Sequence, residues 1–347
     1  MIKPRKIVEE MNVYPAPSEG RLDMIRLDFN ENTTGFPDAY PDGFQPEAVS
    51  AYPEYGEFLK KAAIVFGVKE HQLLATNGSD EALMLVAMTF VNPGDRAVIS
   101  KPCFVVMPHC LKLAGAVLQE VAVCDDLSFD LAALEDKFAG AKVAMFATPE
   151  NPTGAMIPPA VIEKWCGSFP DTLFVIDEAY GDYNESTVIP LINTYDNLLV
   201  MRTFSKAWGM AGFRLGLLFG SASLIDFVRR IKLPYSVNSA AVSTAIKLLD
   251  DPERVKREAR VIMQRKDKIE NELNVRGYRV ISGFANSFLL ALPPERAAQF
   301  EAFARSHGVL VRRREQQYIR VSIGTEAEMK KFMDVVTEFE SSLVVQR

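Results

Sequence analysis

Two short stretches carry side chains suited to covalent chemistry. In "RTFSKAWGMAGFRLG" (202–216), Lys206 follows Ser205 and is followed eight positions later by Arg214, among Gly209, Gly212 and Gly216. In "TLFVIDEAY" (172–180), an apolar run ends in Asp177 and Glu178. A lysine in a desolvated pocket loses its proton readily and forms a Schiff base with a carbonyl, whereas a solvated lysine stays protonated. For either residue alone, the exposed end of a strand is the default. Two successive strands that end in an acid and an amine change the balance, because ligands of open α/β sheets gather at the carboxyl ends of strands.

An amine for an aldehyde, a carboxylate for a pyridinium nitrogen and a set of phosphate donors together make the arrangement that pyridoxal phosphate needs. Lys206 supplies the amine and Asp177 the carboxylate. Arg214 and Ser205 are candidates for the phosphate, joined by backbone N–H groups at the start of the helix expected after "TNGSDE" (76–81).

The elements that must position these residues read as an alternation. From about residue 73 to 221, "LLAT", "RAVIS", "AVLQEVAV", "KVAMFAT", "TLFVIDEA", "NLLVMRTF" and "RLGLLFG" are strand-like, about seven in all. Several are almost wholly apolar, which suits a mainly parallel sheet covered on both faces, an α/β architecture. "GSDEALMLVAMTFV" and "FDLAALEDKFAG" have helical spacing, and the first opens with Asp80 and Glu81 where a helix N-terminus favours acids. Beyond Asn238 a charged helical passage runs to Gly277, with a break at Asp251 and Pro252. The remainder reads as a small strand and helix unit. The expected division is an arm over 1–45, a large domain over 46–250 and a small domain over 251–347.

Composition narrows the function. The chain has 347 residues, 48% of them hydrophobic, enough for a large core. Its net charge of -6 gives no general footprint for nucleic acid or anionic membrane. No apolar run approaches bilayer length, and "MIKPRKIVEEMNVYP" lacks a signal-peptide core. Four cysteines and three histidines match neither a disulfide scaffold nor a metal site. A cytoplasmic protein with reduced thiols and no metal is expected.

"NGSDEA" (77–82), "NPTG" (151–154), "IDEAY" (176–180) and "TFSKAWGMAGFRLG" (203–216) resemble the fold type I aminotransferases, and most closely the histidinol-phosphate aminotransferase family. "LDFNEN" (27–32) and "AYPEYG" (51–56) extend the likeness over nearly the whole chain. The resemblance implies the pyridoxal-phosphate-dependent transferase fold of type I, with a seven-stranded sheet sandwiched by helices and a smaller α/β C-terminal domain. It also implies that Lys206 holds the cofactor and later moves the proton, and that Asp177 pairs with the pyridine nitrogen. Asn151 and Tyr180 would bond the phenolic oxygen, and Phe104 would stack on the ring. Ser205, Arg214 and the amides of Ser79 and Asp80 would bind the phosphate. Tyr52 would reach that phosphate from a partner copy, making the active form a homodimer.

For the substrate, Arg312 and Arg320 match the family's anion-binding arginines, and Tyr14 and Asn30 align with further pocket positions. Arg313 and Arg314 read as solvated strand-edge charges. The implied reaction exchanges an amino group between histidinol phosphate and 2-oxoglutarate. An aromatic amino-acid aminotransferase is the alternative; a threonine-phosphate decarboxylase and a non-enzymatic cofactor-binding regulator are more distant ones. Two departures from the family pattern stand out: "KPCF" has Phe104 where a tyrosine is common, and Glu150 precedes Asn151.

Overall fold

The computed structural model describes residues 20–41, 43 and 50–345, so Tyr14 lies outside the described residues. The described part of the N-terminal stretch contributes strand β1 (Ile25–Arg26). The apolar runs become β2 (Leu73–Thr76), β3 (Arg96–Lys101), β4 (Val117–Ala122), β5 (Val143–Ala147), β6 (Leu173–Asp177), β7 (Leu198–Thr203) and β8 (Gly216–Gly220). They form one seven-stranded sheet in the order β2-β8-β7-β6-β5-β3-β4. β8 runs antiparallel to both of its neighbours, and the other four pairings are parallel.

Every residue of β2, β5, β6, β7 and β8 is buried. Side chains alternate across a strand, so successive residues enter two separate cores. Phe174 and Ile176 join Phe146 and Val200 on one face, against helices α1 (Gly56–Phe66), α4 (Leu131–Phe138) and α5 (Pro159–Ser168). Leu173 and Val175 join Met145 and Met201 on the other, against α2 (Gly78–Phe90), α3 (Val106–Ala114) and α6 (Ala222–Ile231). By this alternation Asp177 falls on the second side, at the end of a strand whose flanks are fully packed.

The helix boundaries follow local chemistry. Asp130 caps α4 by accepting from the Ala133 N–H at 2.9 Å. α7 (Ser239–Leu249) opens on Asn238, whose side chain accepts from the Ala241 N–H at 2.8 Å. The break at Asp251 is a cap, accepting from the Arg254 N–H at 3.1 Å, with Pro252 as the first residue of α8 (Pro252–Val275). Gly277 follows it in the left-handed region, φ 86°.

A second sheet has the order β12-β13-β10-β9, antiparallel throughout, from β9 (Arg279–Ile281), β10 (Ser287–Ala291), β12 (Arg312–Arg314) and β13 (Tyr318–Ser322). α9 (Pro294–Ser306) and α10 (Glu326–Val345) accompany it. β12 is an edge strand on which Arg313 is exposed as expected, whereas Arg314, expected to be solvated, is half-buried with its Nε enclosed. The expected irregular arm differs in one respect: β1 pairs in parallel with β11 (Val309–Leu310). Two residues carry no hydrophobic periodicity, so nothing in the sequence signals that strand. No described helix is long and apolar enough to cross a membrane.

Candidate active site

A cleft of about 570 Å³ opens at the carboxyl ends of β5, β6 and β7. Ser79, Asp80, Phe104, Asn151, Asp177, Tyr180, Ser205, Lys206 and Arg214 line it together. Residues from six separate stretches of the sequence thus converge on one space.

The lysine turn is oriented by its aromatic neighbours. Phe204 and Trp208 are buried with their ring centroids 4.8 Å apart, and the Trp208 indole N–H donates to Asp182 Oδ2 at 3.2 Å. Anchoring those two rings in the core turns Ser205 and Lys206 toward the cleft. Lys206 Nζ donates to the Phe29 carbonyl at 2.8 Å and stands 5.7 Å from the centroid of the Tyr180 ring.

Asp177 is 2% exposed and accepts from the Ala179 N–H at 3.0 Å. Burial pushes its carboxyl up to about 7, and the charge of Asp80 adds to the rise, against the Ala179 N–H and the Lys206 cation. A buried carboxyl lining a cleft in this state is suited to a cationic ligand atom that restores its charge.

Glu178, its neighbour, does something else. It receives Arg202 at 2.9 Å, the Thr187 hydroxyl at 2.7 Å and the Val188 N–H at 2.6 Å, and does not line the cleft. It is the structural partner of a buried arginine.

At the other end of the cleft the N-terminus of α2 meets Arg214. Arg214 Nη1 donates to Ser205 Oγ at 3.2 Å, and Nη2 pairs with Asp80 at 3.1 Å. Both partners of that pair are about half exposed, 42% and 51%, so the pair is weak and readily exchanged for a stronger anion. Two glycines permit the approach. A Cβ on Gly78, whose φ is +73°, would lie 2.5 Å from Arg214 Nη2; one on Gly216 would lie 2.8 Å from the Gly78 carbonyl carbon and the Ser79 nitrogen. Gly209 is needed for its φ of +67°, while a Cβ on Gly212 would meet open space, so nothing in the structure requires glycine there.

The described substrate-side candidates, Asn30, Arg312 and Arg320, gather around residues 28–30 and do not themselves line the cleft. Asn30 is 1% exposed, takes a left-handed φ of 53°, and donates from Nδ2 to the Tyr180 hydroxyl at 3.0 Å. Arg320, 2% exposed, donates to Asn151 Oδ1 and to the Asp28 carbonyl, and its Nε has no partner among the described residues. Burial, then the like charges of Arg314 and Arg312, pull its guanidinium down to about 10, opposed by Tyr180, which leaves it a cation at neutral pH. Arg312 is the cross-strand partner of Arg320 and lies 5.4 Å from the Phe29 ring centroid. Arg313, on the exposed edge, pairs with Glu301.

Tyr52 does not line this cleft. It is 75% exposed, its ring stacked on Tyr235 at 4.3 Å. Among the lining residues that carried no role in the sequence reading are Arg21, Phe29 and Glu31. Arg21 pairs with Asp28 at 2.7 Å and Glu31 at 2.9 Å, and lies 4.7 Å from the Phe29 ring centroid. Phe29 and Glu31 lie inside "LDFNEN", so that motif could have pointed to them; Arg21 carries no such signal.

Residues 23–336 match the family described as aminotransferase class I and II. The chain is 31% identical over 335 residues to histidinol-phosphate aminotransferase 3 of Rhizobium meliloti (strain 1021), covering 92% of this chain and 90% of that protein. It is 34% identical over 335 residues to histidinol-phosphate aminotransferase 3 of Mesorhizobium japonicum, covering 92% and 88%. The crystal structure of histidinol-phosphate aminotransferase from Sinorhizobium meliloti in complex with pyridoxal-5'-phosphate superposes with a TM-score of 0.86 at 20% identity, covering 99% of each chain. The expected fold, type I of the pyridoxal-phosphate-dependent transferases, is the one observed.

Proposed function

The chain belongs to the aminotransferase class I and II family, and on that premise we propose that it is the pyridoxal-phosphate-dependent enzyme that exchanges an amino group between histidinol phosphate and 2-oxoglutarate. The observation that carries this reading is the convergence of Lys206, Asp177, Asn151 and Arg214 on one cleft. The residues present fit the cofactor: a buried carboxyl short of donors, an amine, and a phosphate cradle that the Cβ of any residue at Gly78 or Gly216 would fill.

When bound, pyridoxal phosphate supplies an aldehyde for an amine and an electron-accepting ring that acidifies the substrate Cα–H bond. Lys206 Nζ would hold that aldehyde and, when not bound to it, would serve as the base and acid that moves the substrate Cα proton. Asp177 holds a proton on the pyridine nitrogen. Asn151 and Tyr180 donate to the phenolic oxygen, and the Phe104 ring covers one face. Ser205, Arg214 and the backbone N–H groups of Ser79 and Asp80 bind the phosphate, with Arg214 leaving the Asp80 side chain to do so.

Arg320 and Arg312 hold the anionic end of the substrate, with Asn30 beside them. In histidinol phosphate this end is a phosphate ester, and in glutamate it is a carboxylate; a guanidinium fork serves both. Tyr14 is assigned to substrate binding by the family resemblance alone and lies outside the described residues. The active form is a cytoplasmic homodimer in which Tyr52 of one copy reaches the cofactor phosphate of the other. The outward position of Tyr52, its ring stacked on exposed Tyr235, supports it. Division into large (46–250) and small (251–347) domains gives the substrate arginines and the cofactor lysine separate supports.

The test is a half-reaction screen in which the visible absorbance of the bound cofactor is followed as single compounds are added. Histidinol phosphate and glutamate are expected to bleach it. A response to phenylalanine or tyrosine without one to histidinol phosphate makes the chain an aromatic aminotransferase instead; carbon dioxide release from phosphothreonine makes it a decarboxylase.

A further inference from the structure

Glu150 has no part in the mechanism above, yet its carboxyl is fully buried, 0% exposed, against the walls of the cleft. Oε1 accepts from the Asn151 N–H at 2.8 Å and Oε2 accepts from the Ser100 hydroxyl at 2.9 Å; the Phe104 backbone N–H opposes the rise that burial gives this carboxyl. Ser100 lies near the end of β3, Phe104 just ahead of α3, and Asn151 begins the turn after β5. The main chain of Glu150 closes that turn, its N–H donating to the Ala155 carbonyl and its carbonyl accepting from the Gly154 N–H, both at 2.8 Å.

A buried carboxyl is costly unless donors satisfy it, and here it stands near the like charge of Asp177. Closing a turn does not call for that expense, since an amide would do it. What a carboxyl adds is acceptor capacity at both oxygens, enough to hold the Asn151 N–H and the Ser100 hydroxyl, on two segments, at once. Those segments carry the ring-stacking Phe104 and the ring-oxygen donor Asn151. From the β13 side, Arg320 reaches the Asn151 Oδ1, which leaves the Asn151 Nδ2 free to face the cleft.

We propose that Glu150 is a positioning residue that fixes the Asn151 amide and the Phe104 segment relative to each other, acting on the bound cofactor through Asn151. The inference rests on the pyridoxal phosphate reading of the cleft. Glu150 touches neither cofactor nor substrate, so its effect must travel through the Asn151 bond to the phenolic oxygen. Loss of that bond disfavours the deprotonated form of the bound chromophore.

Two readouts without substrate test this: the Kd of pyridoxal phosphate by equilibrium dialysis, and the pH midpoint of its visible absorbance when bound. For Glu150→Ala the midpoint is expected to rise by about 0.5 to 1 in pH, with a Kd about five- to tenfold weaker. Asn151→Ala should do the same, and the double variant should add nothing to Asn151→Ala alone. Glu150→Gln, which keeps an acceptor for the Asn151 N–H but loses the one for the Ser100 hydroxyl, should show a rise smaller than that of Glu150→Ala and similar to that of Ser100→Ala. A midpoint unmoved in Glu150→Ala, or a double variant whose shift is the sum of the two, overturns the proposal. Should Glu150→Ala fail to fold, Ser100→Ala must show a smaller rise, and no rise in a folded Ser100→Ala overturns it equally. A wild-type protein that retains no pyridoxal phosphate overturns the functional reading and this proposal with it, whereas a wild type that binds while the variants match it overturns this proposal alone.

Discussion

Arg320 on the second sheet donates a hydrogen bond to the side chain of Asn151 in the turn after β5, so the residue expected to hold the substrate's anion is bonded to one expected to touch the cofactor. With the Asn30–Tyr180 bond, this contact joins the expected substrate and cofactor sites. Arg320→Lys keeps the charge and loses the fork. Steady-state kinetics should show kcat/KM falling about 100-fold for anionic donors, with cofactor affinity changed less than about threefold.

Asp177 and Glu150 are both pushed up by burial, to about 7 and about 8. Their folded values lie above those of the unfolded chain, so the folded apoprotein binds more protons, and stability present below about pH 4 is lost as pH rises toward 8. The slope is at most about 1.4 kcal/mol per pH unit for each proton. Thermal melts of the apoprotein should show Tm falling from pH 5 to 8, with Asp177→Asn flattening the lower part of that fall.

Gly78→Ala and Gly216→Ala test the phosphate cradle. Gly216→Ala places a Cβ 2.8 Å from backbone atoms that open α2, and Gly78→Ala adds positive-φ strain to a clash with Arg214. Each should weaken pyridoxal phosphate binding by about tenfold or more and cost about 1 to 3 kcal/mol of stability. Dialysis and urea denaturation read the two effects separately.

Glu178, adjacent to Asp177, should behave as a structural residue. Glu178→Gln leaves Arg202 buried with Asp182, at 3.2 Å, as its one remaining ion-pair partner among the described residues. Urea denaturation should show a loss of about 3 kcal/mol, since breaking a buried pair strands a charge. The cofactor spectrum of the folded fraction should be unchanged.

The contrast between those two neighbours shows what the sequence could carry. The alternation of apolar runs was enough for the seven-stranded sheet, because strands buried on both faces have little else they can be. Placing Asp177 and Lys206 at successive strand ends was enough to bring them to one cleft. The sequence carried no sign that Glu178 belongs to Arg202, because that pairing crosses from β6 to β7 and depends on register. Arg21 reaches the cleft by contacts with Asp28 and Glu31 rather than by any recurring spacing. Of the glycines near Lys206, Gly209 is explained by its backbone angle and Gly216 by a close approach, distinctions invisible to composition.

The central claim is that Lys206 carries the cofactor. It is tested most directly by incubating the protein with pyridoxal phosphate, reducing with borohydride, and locating the modified lysine by peptide mass mapping. The account predicts a pyridoxyl group on Lys206 alone, lost in Lys206→Ala. Modification at another lysine, or none, would contradict it.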